Sequence, residues 1–241
     1  MIEGKIAVVT GVTSGIGEAL AARLVAGGAK VVGLGRNQER LAAVAHRHGP
    51  TFTPICADLA SRPARRRALG RLREELPRVD IIVNNAAECV YETALYLDTD
   101  RFADLLEVNV LAGLELVQTL AGALPPDGHV INVSSVTARH VAHPKFTPYA
   151  LTKTAIERFT EGLRLELAPR GIKVSLIVPG LVDTPIYDKV AGFDTARAML
   201  HKQVPVWLSA NDVADAMMWM LTRPLSVVAS ELVLLPRFQA R

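Results

Sequence analysis

Seven short runs of residues, apolar at consecutive positions, alternate along this chain with longer stretches of helical periodicity. The runs are Lys5–Thr10, Lys30–Leu34, Thr53–Ala57, Asp80–Asn84, His129–Val133, Lys173–Val178 and Glu231–Leu235. Between them, amphipathic stretches lie near 14–27, 37–48, 61–76, 100–122, 149–168 and 211–222. Ile6-Ala7-Val8-Val9 and Ile81-Ile82-Val83 show no polar–apolar alternation, as expected of strands covered on both faces. Strand and helix in turn predict an α/β fold, with a doubly wound, seven-stranded parallel sheet and helices on both faces. No linker, low-complexity segment or repeat divides the chain, so residues 1–241 read as one domain.

The longest break in the alternation runs from Pro179 to Leu208. It follows a strand, where open α/β sheets bind ligands, so a small substrate lid is expected at about 181–208. Ser209-Ala210-Asn211-Asp212 then reads as a capping box opening the last helix. Half of the residues are hydrophobic and 21% are charged, the balance of an ordinary globular protein. The net charge of +3 is too small to argue for nucleic acid and suits an anionic small ligand equally well. Cys56 and Cys89 form no C-x-x-C, and no metal-ligand spacing is present, so no metal site is expected and a reducing, cytoplasmic setting is. Met1-Ile2-Glu3-Gly4-Lys5 runs straight into the first strand pattern rather than into a leader. No uncharged apolar stretch reaches the ~18–20 residues that span a bilayer.

The first strand opens into Thr10-Gly11-Val12-Thr13-Ser14-Gly15-Ile16-Gly17, and a helix follows at once. Glycines let the backbone approach a pyrophosphate, and the helix start offers free N–H groups and partial positive charge. The spacing is G-x-x-x-G-x-G, and turns of this kind also serve strand–helix packing. The second strand ends at Gly35 without the acid that commonly receives a ribose 2′-hydroxyl, and Arg36 follows. A guanidinium there suits a 2′-phosphate, which favours NADP(H). The competing reading is that Arg36 caps the turn or pairs with Glu39; Arg40 either assists or is a solvated helix position.

Tyr149-Ala150-Leu151-Thr152-Lys153 begins a helical stretch, where residues four apart share a face. A lysine charge beside a tyrosine favours the phenolate, which is what a tyrosine acid/base needs. Ser134-Ser135 ends the fifth strand and can offer a hydroxyl to a substrate oxygen. Adjacent strand residues face opposite ways, so either serine is a candidate. Asn84-Asn85-Ala86-Ala87 ends the fourth strand at the same sheet edge, with small residues that let a flat ring lie against the backbone.

Together these segments resemble the short-chain dehydrogenase/reductase family over essentially the full length. Thr10–Gly17 matches its glycine loop, and Asn84–Ala87 its N-N-A-G with Ala87 in place of glycine. Asn109, Ser135, Tyr149 and Lys153 match its catalytic positions, and Pro179-Gly180 with Thr184 its P-G-x-x-x-T. The resemblance implies a single Rossmann-like domain and an NADP(H)-dependent oxidoreductase interconverting an alcohol and a ketone or aldehyde. It implies Tyr149 as acid/base, Ser135 polarising the carbonyl oxygen, Lys153 holding the nicotinamide ribose, and Asn109 holding a water behind Lys153. It implies cofactor contacts from Gly11, Thr13, Ser14, Gly15, Ile16, Gly17, Arg36, Asp58, Leu59, Asn85, Ala86, Ala87, Tyr149, Lys153, Pro179, Gly180 and Thr184. A homodimer or homotetramer is expected by resemblance too. Softer matches, including Gly35-Arg36-Asn37-Gln38-Glu39-Arg40-Leu41, resemble the family's reductases of small hydroxy acids and aldehydes.

Substrate choice is expected from Glu88–Tyr91, Arg139–Thr147 and the segment Leu181–Val206. In the second, Arg139, His140, His143 and Lys145 either meet an anionic substrate group or form an exposed polar loop. Arg62, Arg65, Arg66, Arg67, Arg71 and Arg73 crowd one helix. With Glu74 and Glu75 following and no aromatics interleaved, a solvated face is favoured over nucleic acid or membrane contact. Trp207, Trp219 and Met217-Met218-Trp219-Met220 read as core or subunit interface. Two other functions remain open: an NAD-dependent dehydrogenase of the same fold, and a cofactor-binding regulatory protein without turnover.

Overall fold

The computed structural model describes residues 2–188 and 190–240. Its elements in chain order are β1 (Ile6–Thr10), α1 (Gly15–Ala26), β2 (Lys30–Gly35), α2 (Gln38–His48), β3 (Phe52–Cys56), α3 (Arg62–Glu75) and β4 (Ile81–Asn84). There follow α4 (Thr99–Leu106), α5 (Ala112–Leu120), β5 (His129–Val133), α6 (Thr147–Leu167) and β6 (Lys173–Pro179). Last come β7 (Val182–Asp183), α7 (Asp194–Gln203), β8 (Leu208–Ser209), α8 (Ala210–Leu221) and β9 (Glu231–Leu234).

Seven strands form one sheet in the order β3-β2-β1-β4-β5-β6-β9, every neighbouring pair parallel. The register places Ala7 beside both Val31 and Ile81 at its centre. Side chains alternate faces along a strand. Ala7, Val9, Ile81, Val83, Ile131 and Val133 accordingly pack with Leu20 and Leu24 of α1 and Met217 and Met220 of α8. Val8, Ile82 and Val130 point the other way, onto Leu69 and Leu72 of α3, Leu116 and Leu120 of α5, and Leu163 and Leu167 of α6. Two buried faces are why both halves of the alternation had to be apolar.

Three features depart from the sequence reading. The stretch 100–122 is not one continuous α-helix: a wide turn at Glu107–Leu111 separates α4 from α5 and carries Asn109. By length and composition Thr99–Ala123 could cross a membrane, yet Asp100, Arg101, Asp104, Glu107 and Glu115 interrupt it, and it buries Leu105, Leu116, Val117 and Leu120 in the core. Second, the break in the alternation after β6 holds short elements of its own: β7 pairs with β8 and α7 lies between them. Third, the arginines of α3 are solvated except Arg65, which is fully buried. Its guanidinium donates to Glu115 at 2.8 Å, Glu107 at 2.7 Å and the Leu59 carbonyl at 2.6 Å, tying α3 to the turn that bears Asn109. The capping box at α8 is present: Asp212 N–H donates to Ser209 Oγ at 3.1 Å and Ser209 N–H to Asp212 Oδ2 at 2.7 Å.

Candidate active site

The strand order reverses between β1 and β4, and a cleft of about 560 Å³ opens along the carboxyl ends of the strands there. Six of the seven strand ends contribute to its wall: Gly11 and Thr13–Ile16 at β1, Gly35–Asn37 at β2, Ala57–Leu59 at β3, Asn85–Cys89 at β4, Ser134–Ser135 at β5 and Pro179–Gly180 at β6. Tyr149 and Lys153 of α6 and Thr184 complete it. The expected cofactor contacts therefore lie together in one groove, apart from Gly17, which sits just beneath the floor.

The glycine loop is shaped by sterics. Gly11 has φ +74°, and a Cβ there would lie 2.9 Å from Asn85 Nδ2. A Cβ on Gly17 would stand 2.3 Å from the Gly11 carbonyl oxygen. The loop is clamped from β4, since Asn85 Nδ2 donates to the Thr10 carbonyl at 2.9 Å, and Asn85 and Ala86 N–H both donate to Thr10 Oγ1 at 3.0 Å. Ser14 at the start of α1 makes no side-chain cap, which leaves the helix N–H groups facing the cleft for an anion.

At the opposite end, Lys153 is buried and donates from Nζ to the Val133 carbonyl at 2.9 Å, with its ammonium 5.6 Å from the Tyr149 ring centre. Burial lowers its pKa to about 8. Tyr149 is also buried. Burial pushes its phenol well above the ordinary value, Cys89 and Tyr187 add to the rise, and a hydrogen bond with Ser135 opposes it. The sequence-based expectation is that Lys153 depresses this value; in this arrangement burial dominates the phenol, and the lowering influence on it comes from Ser135. Burial likewise raises the Cys89 thiol to about 12.

The two serines divide as strand geometry requires. Ser134 Oγ donates to Glu157 at 3.1 Å, whereas Ser135 accepts from Thr137 N–H at 3.2 Å and meets Tyr149. Asn109, in the wide turn at Glu107–Leu111, lies between the loop after β4 and α6. Its side chain accepts from Glu88 N–H at 2.8 Å and donates to the Glu88 carbonyl at 2.9 Å and to Thr152 Oγ1 at 3.0 Å. A void of about 10 Å³ lies beside it, bounded by Lys153, Thr10 and Asn84, whose Oδ1 is buried without a protein partner. That is about the size of one water molecule.

Several cleft residues escaped the sequence reading. Arg101, Val108, Ile186 and Tyr187 line the cleft. Tyr187 stacks on Phe193 at 4.6 Å, and Cys89, Phe146, Tyr149 and Phe193 form an apolar cluster behind it. Aromatic spacing within 181–208 was the available signal for Tyr187 and Phe193; Arg101 had none. The basic loop before α6 does not line the cleft. Arg139 pairs with Glu157 and Glu231, His143 stacks on Tyr91 at 5.3 Å, and Lys145 lies over the same ring. Arg36 does line it, but pairs with Glu88 rather than Glu39.

Comparison with known proteins finds relatives over almost the whole chain. A family model described as short chain dehydrogenase matches residues 5–195. An uncharacterized oxidoreductase of Staphylococcus epidermidis is 32% identical over 237 residues, covering 98% of each chain. One of Staphylococcus aureus is 33% identical over 242 residues, covering 98% of this chain and 99% of its own. Among solved structures, the closed form of serine dehydrogenase complexed with NADP+ superposes with a TM-score of 0.89 at 28% identity, over 98% of this chain and 96% of its own. A 3-ketoacyl-(acyl-carrier-protein) reductase from Brucella melitensis, complexed with NADH, gives 0.83 at 26% identity, over 98% and 99%.

Proposed function

The chain belongs to the short-chain dehydrogenase family of oxidoreductases, and on that premise we propose that it interconverts an alcohol with a ketone or aldehyde using NADP(H), Tyr149 serving as acid/base. One observation carries the reading: a single cleft has Tyr149, Ser135 and Lys153 at one end and Arg36 beyond a glycine floor at the other.

The residues present suit a nicotinamide dinucleotide. The floor is closed to any side chain at Gly17, the start of α1 is uncapped, and Arg36 with Arg40 supplies positive charge where β2 ends without an acid. When bound, the cofactor supplies or accepts the hydride. The protein's part is the proton and the geometry. Ser135 holds the substrate oxygen against Tyr149. The phenol, protonated because burial favours its neutral form, gives its proton from Oη to the carbonyl oxygen as the alcohol forms. The phenolate left behind is stabilised by the Lys153 ammonium, which is still largely charged at neutral pH. In oxidation the same proton returns to Tyr149. Asn109, by clamping the Glu88 backbone and Thr152, holds the loop after β4 against α6.

Cys89, Ile186 and Tyr187 on the cleft wall, backed by the buried Phe146 and Phe193, support a carbonyl compound with an apolar substituent. We read residues 181–208 as the cover of that end, since Ile186, Tyr187 and Phe193 within it pack beside Tyr149. The test is cofactor oxidation against a panel of aldehydes, ketones and keto acids. Carbonyl-dependent oxidation of NADPH is expected, and binding of NADPH with no turnover across the panel would favour a non-catalytic role.

A second reading, NADH in place of NADPH, has one observation behind it: the carboxylate of Glu88 holds the arginine assigned to the 2′-phosphate.

A further inference from the structure

The second strand ends without an acid, yet an acid reaches the same place from elsewhere. Glu88 follows the small-residue run after β4, and its side chain meets the guanidinium of Arg36 across the mouth of the cleft. This is not a loose surface contact. The Glu88 backbone is fixed on both sides by Asn109, through its N–H at 2.8 Å and its carbonyl at 2.9 Å. Its side chain is 17% exposed, while Arg36 is half exposed. A second arginine, Arg101 of α4, approaches the other carboxylate oxygen at 3.4 Å. Arg40 lines the same end of the cleft, and no carboxylate pairs with it among the described residues.

A carboxylate and a phosphate seek the same planar fork of N–H donors. Both cannot hold the Arg36 fork in full, and two anions side by side repel. A ribose 2′-hydroxyl, by contrast, is neutral and can donate to a carboxylate that stays where it is. We propose that Glu88 is a cofactor-selectivity residue, whose carboxylate competes with the cofactor's 2′-phosphate for Arg36 and so narrows the preference for NADPH over NADH. This rests on the assignment of Arg36 to the 2′-phosphate. Arg101 makes the exchange feasible, because it remains beside Glu88 once Arg36 turns to the phosphate.

The test is the dissociation constant of NADPH and of NADH, read by nicotinamide fluorescence, for the full chain and for Glu88→Gln, Arg36→Gln and the double variant. Glutamine keeps the shape and the backbone clamp and removes the charge; Glu88→Ala, with thermal unfolding beside it, guards against a folding defect. Glu88→Gln is expected to tighten NADPH about tenfold, the loss of roughly one charge-assisted competitor, without tightening NADH. In the Arg36→Gln background that gain should vanish. An equal shift for both cofactors, no shift, or a gain that persists without Arg36 overturns the competition. The underlying assignment fails separately: its failure is Arg36→Gln binding NADPH as well as the parent chain does.

Discussion

Tyr149, Lys153 and Cys89 sit within one buried wall, and burial moves all three away from their ordinary ionisation, the phenol and thiol upward and the ammonium down to about 8. Charge is costly there unless something answers it. The Val133 carbonyl answers Lys153 only in part. A similar economy governs His129, far from the cleft. It is buried in β5 with Nε2 2.7 Å from Ser175 Oγ, and burial lowers its pKa to about 3. Its folded value lies below its unfolded one, so the folded chain stays neutral where the unfolded chain takes up a proton. Stability is therefore full above the ordinary histidine value and falls as pH drops toward 3. From pH 7 to 5 the loss from this group is expected to be about 2 kcal/mol. Urea unfolding at both pH values checks it, and His129→Gln should remove most of the difference; an unchanged difference in the variant would assign it to other groups. At this scale the motif residues were legible because neighbours in sequence are neighbours in space: Tyr149 and Lys153 are one helical turn apart. The pairing of Arg36 with Glu88 was not, because it joins residues 52 positions apart.

At the scale of elements, strands read well where their surroundings are uniform. β1, β4 and β5 have apolar layers on both faces, and their runs were found to within a residue or so. The three elements after β6 were missed for the opposite reason. β7 and β8 have two residues each, too few for periodicity, and α7 buries no residue fully and packs only a short apolar pair, Ala196 and Leu200, against the aromatic cluster. The turn at Glu107–Leu111 escaped as well. A change from one helical hydrogen-bond pattern to another leaves the apolar spacing almost intact. Yet that turn presents Asn109 to both Glu88 and Thr152, so it fixes the loop after β4 relative to α6. The buried Arg65 supports it from beneath through Glu107.

At the scale of the whole molecule, the cleft exists because helices cross the sheet in opposite senses on either side of β1 and β4, leaving the strand ends uncovered between them. The apolar surface is also unevenly placed. Val233 of β9, Leu235, Phe238, Leu225 and Trp219 are exposed along the last strand and the end of α8. Among the described residues β9 pairs only with β6, which makes it an edge strand. Unpaired edges and apolar patches of this kind are commonly covered by another copy of the chain. We therefore expect a dimer or tetramer, read as mass by light scattering after size exclusion. A monomer across the micromolar range would contradict that expectation.

The most direct measurement is the turnover number of Tyr149→Phe with NADPH and a carbonyl substrate found by the panel, alongside its affinity for NADPH. Phenylalanine removes the proton and little else from the cleft wall. With Tyr149 as the acid, turnover falls by about 10²–10⁴ while NADPH affinity stays within a few-fold. Turnover within a few-fold of the parent chain would show that the proton comes from elsewhere and that the role assigned to Tyr149 is wrong.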